Sequence, residues 1–269
     1  MIIAKSKKDL EKMRVVGELI AEVRETLRSM IGPGMTTREL NETAEKMMRD
    51  AGAVPTFIGY APYGMTPFPF AICASVNEQV VHGFSDDREL KDGDVLSVDM
   101  AATYNGFVGD TATTVAIGNV DEDVAKLIQV TEECLELGID QCRPGNRVGD
   151  IGWAVQEHAE KFGFGIVREY TGHGIGRKMH EAPQIPNYGR KGTKEKIRPG
   201  FVFALEPMLT LGEDLTKTLD DGWTVVTKDG SMAAHSEHTI AITPEGPEIL
   251  TLTREQKKEA GLRLAEATV

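Results

Sequence analysis

Apolar residues near the start of the chain recur at helical spacing: Leu10, Met13, Val16, Leu19, Ile20, Val23, Leu27 and Met30. Ser6 followed by Asp9 supplies a start signal for that helix, and Gly32-Pro33-Gly34 a stop. Thr36 with Glu39 makes a capping box for a second helix, which carries Leu40, Ala44, Met47 and Met48 and ends at Gly52. Residues 53–70 lose all periodicity. Pro55, Pro62, Pro67 and Pro69 alternate there with Phe57, Tyr60, Tyr63, Phe68 and Phe70, which reads as a packed surface loop or the wall of an apolar pocket. A strand over 71–76 then leads to His82, placed just before a glycine.

The pattern next changes to a long β-prone run. Val95, Leu96, Val98, Ala101, Ala102 and Tyr104 precede Asn105-Gly106, a two-residue hairpin signal because both positions favour positive φ. Phe107 and Val108 open the return strand, which continues through Thr113, Val115 and Ile117. Asp99 and Asp110 interrupt this otherwise buried-looking hairpin. With the turn at Asn105-Gly106, Asp99 faces position 112, and a small bulge is expected to bring the two carboxylates together. No Lys or Arg lies between Lys91 and Lys126 to neutralise them. Buried carboxylates are costly unless paired, hydrogen-bonded or bound to a cation. By itself the hairpin fits a solvated turn with two surface acids as well as it fits a metal site.

From Asp121 the pattern starts again. A helix is expected over about 121–140, on Val124, Leu127, Ile128, Val130, Leu135 and Leu137; Pro144-Gly145 breaks it, and another runs from about Val148 to Gly163. Pro33, Gly34 and Gly52 match Pro144, Gly145 and Gly163 at one constant offset. Gly93 and Asp99 match Gly200 and Glu206 at another. A repeat this long is no solenoid period. It predicts a single domain over 1–269 made of two related α+β halves, about 1–118 and 119–269, facing each other about a pseudo-two-fold axis. A polar, basic loop is expected over 186–198 and a short helix after Thr253.

Composition narrows this picture only at its edges. With 41% hydrophobic and 27% charged residues, the chain is an ordinary globular one, and its net charge of −12 argues against sequence-independent nucleic-acid binding through a basic face. Cys73, Cys134 and Cys142 form no paired motif and leave an odd count, as expected of free thiols in a reducing compartment. The N-terminus lacks the apolar core of a signal peptide, and no stretch has the length of a membrane span. Both point to the cytoplasm.

The second half adds His173 between glycines, His180 in the same segment, Glu206 in an apolar strand before Pro207, and Glu237 at the start of another. The repeat brings Asp99, Asp110, Glu206 and Glu237 face to face. Four carboxylates without counter-charge repel one another. Two divalent cations would cancel that charge, with one imidazole completing a mixed shell suited to Mn, Fe, Co or Zn. Ions sharing carboxylates in this way sit roughly 3.5–4 Å apart.

The segments VVHG, VDMAATYNGFVGD, GHGIGRKMHE, LEPM and SEHT together resemble the methionine aminopeptidases, in the bacterial-style type I form without a zinc-finger extension. The resemblance covers nearly the whole chain and implies the pita-bread fold, an α+β arrangement of two pseudo-symmetric halves whose antiparallel sheets are covered by helices. It implies that Asp110 and Glu237 bridge two metal ions, that Asp99 holds one, and that His173 and Glu206 hold the other. His82 and His180 match positions that contact substrate, and Glu206 matches the general base. The implied reaction is removal of an N-terminal methionine from peptides and nascent chains by metal-activated water, favouring a small second residue. Phe57, Tyr60, Tyr63, Cys73, Met179 and Trp223 match or lie near the pocket for the methionine side chain, Met179 standing where an aromatic is usual. A monomer is the expected state. A weaker expectation is that the basic loop Arg190–Arg198 touches the ribosome.

Two rivals are weighed against this. Prolidases and aminopeptidase P share the metal ligands but generally carry a large N-terminal domain, and here nothing precedes the first core helix. Pita-bread binding proteins that have lost catalysis have also lost ligands, and all five are present here. His158, among Gln156, Glu157 and Glu160, is expected to be solvated. His235 and His238 flank Glu237 without an assigned role.

Overall fold

The computed structural model describes residues 2–262, the side chain of Tyr63 excepted. Its elements in chain order are α1 (Lys7–Met30), α2 (Thr37–Asp50), β1 (Val54–Pro55), β2 (Ile72–Val76), β3 (Gln79–Val81), β4 (Val95–Tyr104) and β5 (Phe107–Ala116). There follow α3 (Glu122–Gln141), α4 (Val148–Lys161), β6 (Gly165–Ile166), β7 (Gly172–Gly174), β8 (Glu181–Ile185), β9 (Val202–Leu205) and β10 (Met208–Thr210). The chain closes with β11 (Thr216–Thr218), β12 (Val225–Thr227), β13 (Ala233–His235), β14 (His238–Thr243), β15 (Gly246–Ile249) and α5 (Arg254–Glu259).

Local chemistry sets the helix ends. Ser6 Oγ accepts from the Asp9 amide while Asp9 accepts from the Ser6 amide, and Thr36 with Glu39 repeats the exchange at α2. The apolar stripe of α1 is buried from Leu10 to Leu27, and its part from Val16 onward, with Leu40, Ala44 and Met48 of α2, covers β2 and β4. Gly17 allows the close approach of α1 to the chain beyond β15, since a Cβ there would lie 2.5 Å from the Leu250 carbonyl oxygen. On α3 the expected stripe is shifted. Leu137 is exposed, and Cys134, Ile139 and Thr131 face inward with Leu127 and Val130.

All strand pairing is antiparallel. In the first sheet β5 lines one edge of β4, while β2 and β1 occupy successive stretches of the other. A five-stranded sheet runs β15-β14-β9-β7-β8, packed against α3 and α4 through Leu135, Ile151, Phe203 and Ile240. Two three-stranded sheets, β13-β10-β6 and β11-β12-β3, complete the molecule. This is the pita-bread fold. Gly34, Gly52 and Gly93 have φ of 89°, 75° and 91°, and their sequence counterparts Gly145, Gly163 and Gly200 have 102°, 76° and 89°.

The β4–β5 hairpin turns at Asn105 and Gly106, both at positive φ (50° and 77°). Its register is unshifted from Val95↔Ala116 to Tyr104↔Phe107, so the expected bulge does not form. None is needed: Asp99 pairs with Ala112 and Asp110 with Ala101, which already puts both acids on one face as diagonal neighbours. The hairpin is joined to the five-stranded sheet where the Ala112 and Glu237 main chains exchange hydrogen bonds of 3.3 and 3.0 Å. Among the described residues, no helix is long and apolar enough to cross a membrane.

Candidate active site

The acids and histidines from distant segments meet where the hairpin faces the five-stranded sheet. Asp99 comes from β4, Asp110 from β5, His173 from β7, Glu206 from the junction of β9 and β10, and Glu237 from the turn between β13 and β14. One ligand atom each from Asp110, His173 and Glu237, all buried, lies within 4.8 Å of the other two. His173 Nε2 is 3.5 Å from Glu206 Oε1, and His235 Nε2 is 4.0 Å from Glu206 Oε2.

Glycine makes room for His173. A Cβ on Gly172 would lie 2.5 Å from the Ala204 carbonyl oxygen, and one on Gly174 would run into the Ala182 carbonyl. The His173 Nδ1 lies 3.0 Å from the Gly174 carbonyl oxygen. Since a carbonyl only accepts, Nδ1 carries the proton and Nε2 turns its lone pair into the site.

Charge is left uncompensated. Asp99 Oδ1, Asp110 Oδ1, Glu237 Oε1 and His235 Nε2 are buried with no hydrogen-bond partner among the described residues. Burial pushes the Asp110 carboxyl up to about 7. Burial, then the neighbouring acids, raises Asp99, Glu206 and Glu237 well above the carboxylate range. Burial and the nearby His180 lower His173 to about 3 and His82 to about 4. Neutral imidazole beside unpartnered hard oxygens is the donor set of a divalent transition metal, and orphaned buried acceptors are what such an ion would satisfy. The residues present fit it.

Beside the carboxylates lies a recess of about 480 Å³, open mouth included. Phe57, Tyr60, Cys73, Met179 and Trp223 line it together with His82 and His180. The Tyr63 side chain lies outside the described residues. Phe68, not singled out from the sequence, also lines the recess; it packs edge-on against Trp223 at 5.2 Å and Phe57 at 6.1 Å. Its only signal is its place in the aromatic, proline-rich loop. Trp223 Nε1 donates to the Thr66 carbonyl at 2.7 Å and so pins that loop over the recess. His82, at φ 59°, meets Trp223 and Tyr170 edge-on. His158 is not merely solvated: its Nε2 lies 2.6 Å from Glu133 Oε2, linking α4 to α3. His238 Nδ1 lies 2.8 Å from Thr251 Oγ1 and 3.3 Å from a buried Arg24 nitrogen, facing away from the carboxylates.

A cleft of paired carboxylates and neutral imidazole, set beside an apolar recess in this fold, defines a class. The model of metallopeptidase family M24 matches residues 11–244, and the chain belongs to that family. Within it, the similarity is to methionine aminopeptidases. The Clostridium perfringens methionine aminopeptidase is 47% identical over 254 residues, covering 94% of this chain and 100% of that protein. The crystal structure of methionine aminopeptidase from Rickettsia prowazekii superposes with a TM-score of 0.90 at 41% identity, covering 94% of this chain and 100% of that one. The Thermotoga maritima enzyme gives 0.90 at 43% identity, with coverage of 94% and 100%.

Proposed function

We propose that the protein is a metal-dependent aminopeptidase that removes methionine from the N-terminus of peptides and nascent proteins, favouring a small second residue. The observation that supports this most directly is the group Asp110, His173 and Glu237, with unpartnered oxygens on both acids, opening onto an aromatic recess.

Asp110 and Glu237 would bridge two divalent ions of the Mn, Fe, Co or Zn type, with Asp99 on one and His173 and Glu206 on the other. When bound, such ions act as Lewis acids and lower the pKa of water to near neutrality. The chain's own groups do the rest. Phe57, Phe68, Met179 and Trp223 exclude water and accept an unbranched apolar side chain, whose thioether suits aromatic faces. His180 hydrogen-bonds the oxygen of the scissile carbonyl, and the bond strengthens as charge grows there. His82 contacts the substrate amide. Glu206, at the junction of β9 and β10 beside His173, takes the proton of the attacking water and passes it towards the leaving amine. The reading places the enzyme in the cytoplasm as a monomer, with the loop 190–198 as the face towards the ribosome.

The test is to strip the protein of metal, restore each candidate ion, and offer Met-Ala-Ser beside an Xaa-Pro peptide. Cleavage of the first alone, with about two ions per chain by elemental analysis, is the expected result. Preference for the Xaa-Pro peptide would make the protein a prolidase-type enzyme. No cleavage and no retained metal would reduce it to a binding protein on this fold.

A further inference from the structure

Tyr60 belongs to two neighbourhoods at once. Its ring lines the recess, 6.4 Å from Trp223 between centroids, while its hydroxyl lies 2.9 Å from Nδ1 of His180. The Tyr60 and His180 rings are 5.6 Å apart and tilted by 32°, so the hydroxyl makes the close polar contact. The tyrosine backbone is held from both sides. Its amide donates to the Phe57 carbonyl at 2.9 Å, its carbonyl accepts from Phe68 at 2.9 Å, and Gly59 donates to the Phe68 carbonyl at 2.8 Å. Gly59, at φ 80°, permits that tight closure. The far side of the loop is fixed by the Trp223–Thr66 bond. The hydroxyl therefore stands on a braced support.

A neutral imidazole has one N–H and one acceptor nitrogen. If Nδ1 carries the proton, it donates to the Tyr60 oxygen and Nε2 is left as an acceptor. If the Tyr60 O–H donates to Nδ1, the ring proton sits on Nε2. A scissile carbonyl oxygen only accepts, so it is served only by the second arrangement. For His173 the equivalent choice is made by a main-chain carbonyl, which forces the opposite tautomer. On the second arrangement the two neighbouring histidines, 4.2 Å apart between ring centroids, would have opposite tasks, one presenting a lone pair and the other a proton.

We propose that Tyr60 is a positioning residue for catalysis: its O–H donates to His180 Nδ1 and so holds Nε2–H as the donor to the substrate carbonyl. This rests on the aminopeptidase reading above. The same ring walls the recess, so the pocket for the first side chain and the orientation of the catalytic imidazole share one residue. Removing the hydroxyl while keeping the ring separates the two roles.

Tyr60→Phe, metal-loaded and assayed on Met-Ala-Ser, is expected to lose about tenfold in kcat, the size of one net hydrogen bond, with KM changed by less than about twofold. In a His180→Ala background the same substitution is expected to change kcat no further, because the hydroxyl acts through the imidazole. A rise in KM with kcat intact would make Tyr60 a pocket wall only, and equal losses in both backgrounds would sever it from His180. Either result overturns the proposal. If even the wild type leaves Met-first peptides uncut, the aminopeptidase reading fails, and nitrogen-15 NMR of His180 decides the tautomer alone. Protonation at Nε2 in the wild type, giving way to a mixture in Tyr60→Phe, is expected; protonation at Nδ1 in the wild type overturns it.

Discussion

Asp99 and Asp110 are diagonal neighbours on one face of an unbroken hairpin, with Ala112 and Ala101 as their direct cross-strand partners. Without a cation, burial penalises both charges, and the Asp110 carboxyl is raised to about 7 against an ordinary 3.8. A folded-state pKa above the unfolded one means that the native state binds the proton more tightly. The stability it contributes is complete below the ordinary value and is lost as pH climbs through about 7. The buried histidines have the opposite sign, being depressed: His173 and His235 to about 3, His82 to about 4. Their contribution is present above about 6.5 and is lost as pH falls. Asp110→Asn removes the first effect, together with the charge that helps to raise Asp99, Glu206 and Glu237, and leaves the histidine contribution in place. In chelator-treated protein the variant should melt several degrees above wild type at pH 8, roughly the shift expected for 1–2 kcal/mol, and the gap should close towards pH 4. Coincident melting curves at pH 8 would mean that Asp110 bears its charge at no cost.

With metal supplied, the same substitution has the reverse effect. With Asp110 as a metal ligand, as proposed, its loss should lower the bound metal measured by elemental analysis and reduce turnover by more than about 10²-fold, beyond what supporting residues alone contribute. Full occupancy with normal turnover would remove Asp110 from the ligand set.

His180→Ala should lower kcat by about 10²-fold while KM stays within about threefold, since a bond to the growing oxyanion counts mainly in the transition state. A pure KM effect in steady-state assays would make His180 a ground-state contact only.

Gly174→Ala places a Cβ against the Ala182 carbonyl, within a strand that has no room to shift because β8 and β9 flank it. Overpacking of this kind costs about 1–3 kcal/mol. Because the adjacent residue is His173, a proposed ligand, metal affinity should fall with melting temperature. A calorimetric titration that matched wild type would show that β7 absorbs the methyl elsewhere.

What could be read from the chain in advance is what local chemistry decides. Ser6 and Thr36 cap their helices because the matching acid lies three residues on, and Asn105-Gly106 turns because both residues tolerate positive φ. The acids stood out because no cation near them in sequence answered their charge. The expected bulge was an error of geometry, since diagonal neighbours on an unshifted ladder already share a face. Strands β10 to β13 are three residues each, too short for alternation to register. Phe68 and Tyr60 owe their roles to Trp223 and His180, partners far along the chain that no local pattern announces. His158 meets Glu133 on the neighbouring helix, an encounter set by how α3 and α4 pack.

The Ala112–Glu237 exchange is an isolated bridge between the hairpin and the strand beyond it, two positions from Asp110, flanked by threonine hydrogen bonds from Thr111 to the Glu237 carbonyl and between Thr239 and the Asp110 main chain. Any breathing motion that parts the sheets at this point also draws Glu237 away from Asp110. On the proposed ligand set, opening here and release of metal would be one event. The amide protons of Ala112 and Glu237 should exchange with solvent on the timescale at which the centre empties, so a spectrometer watching deuterium uptake there would be timing metal release.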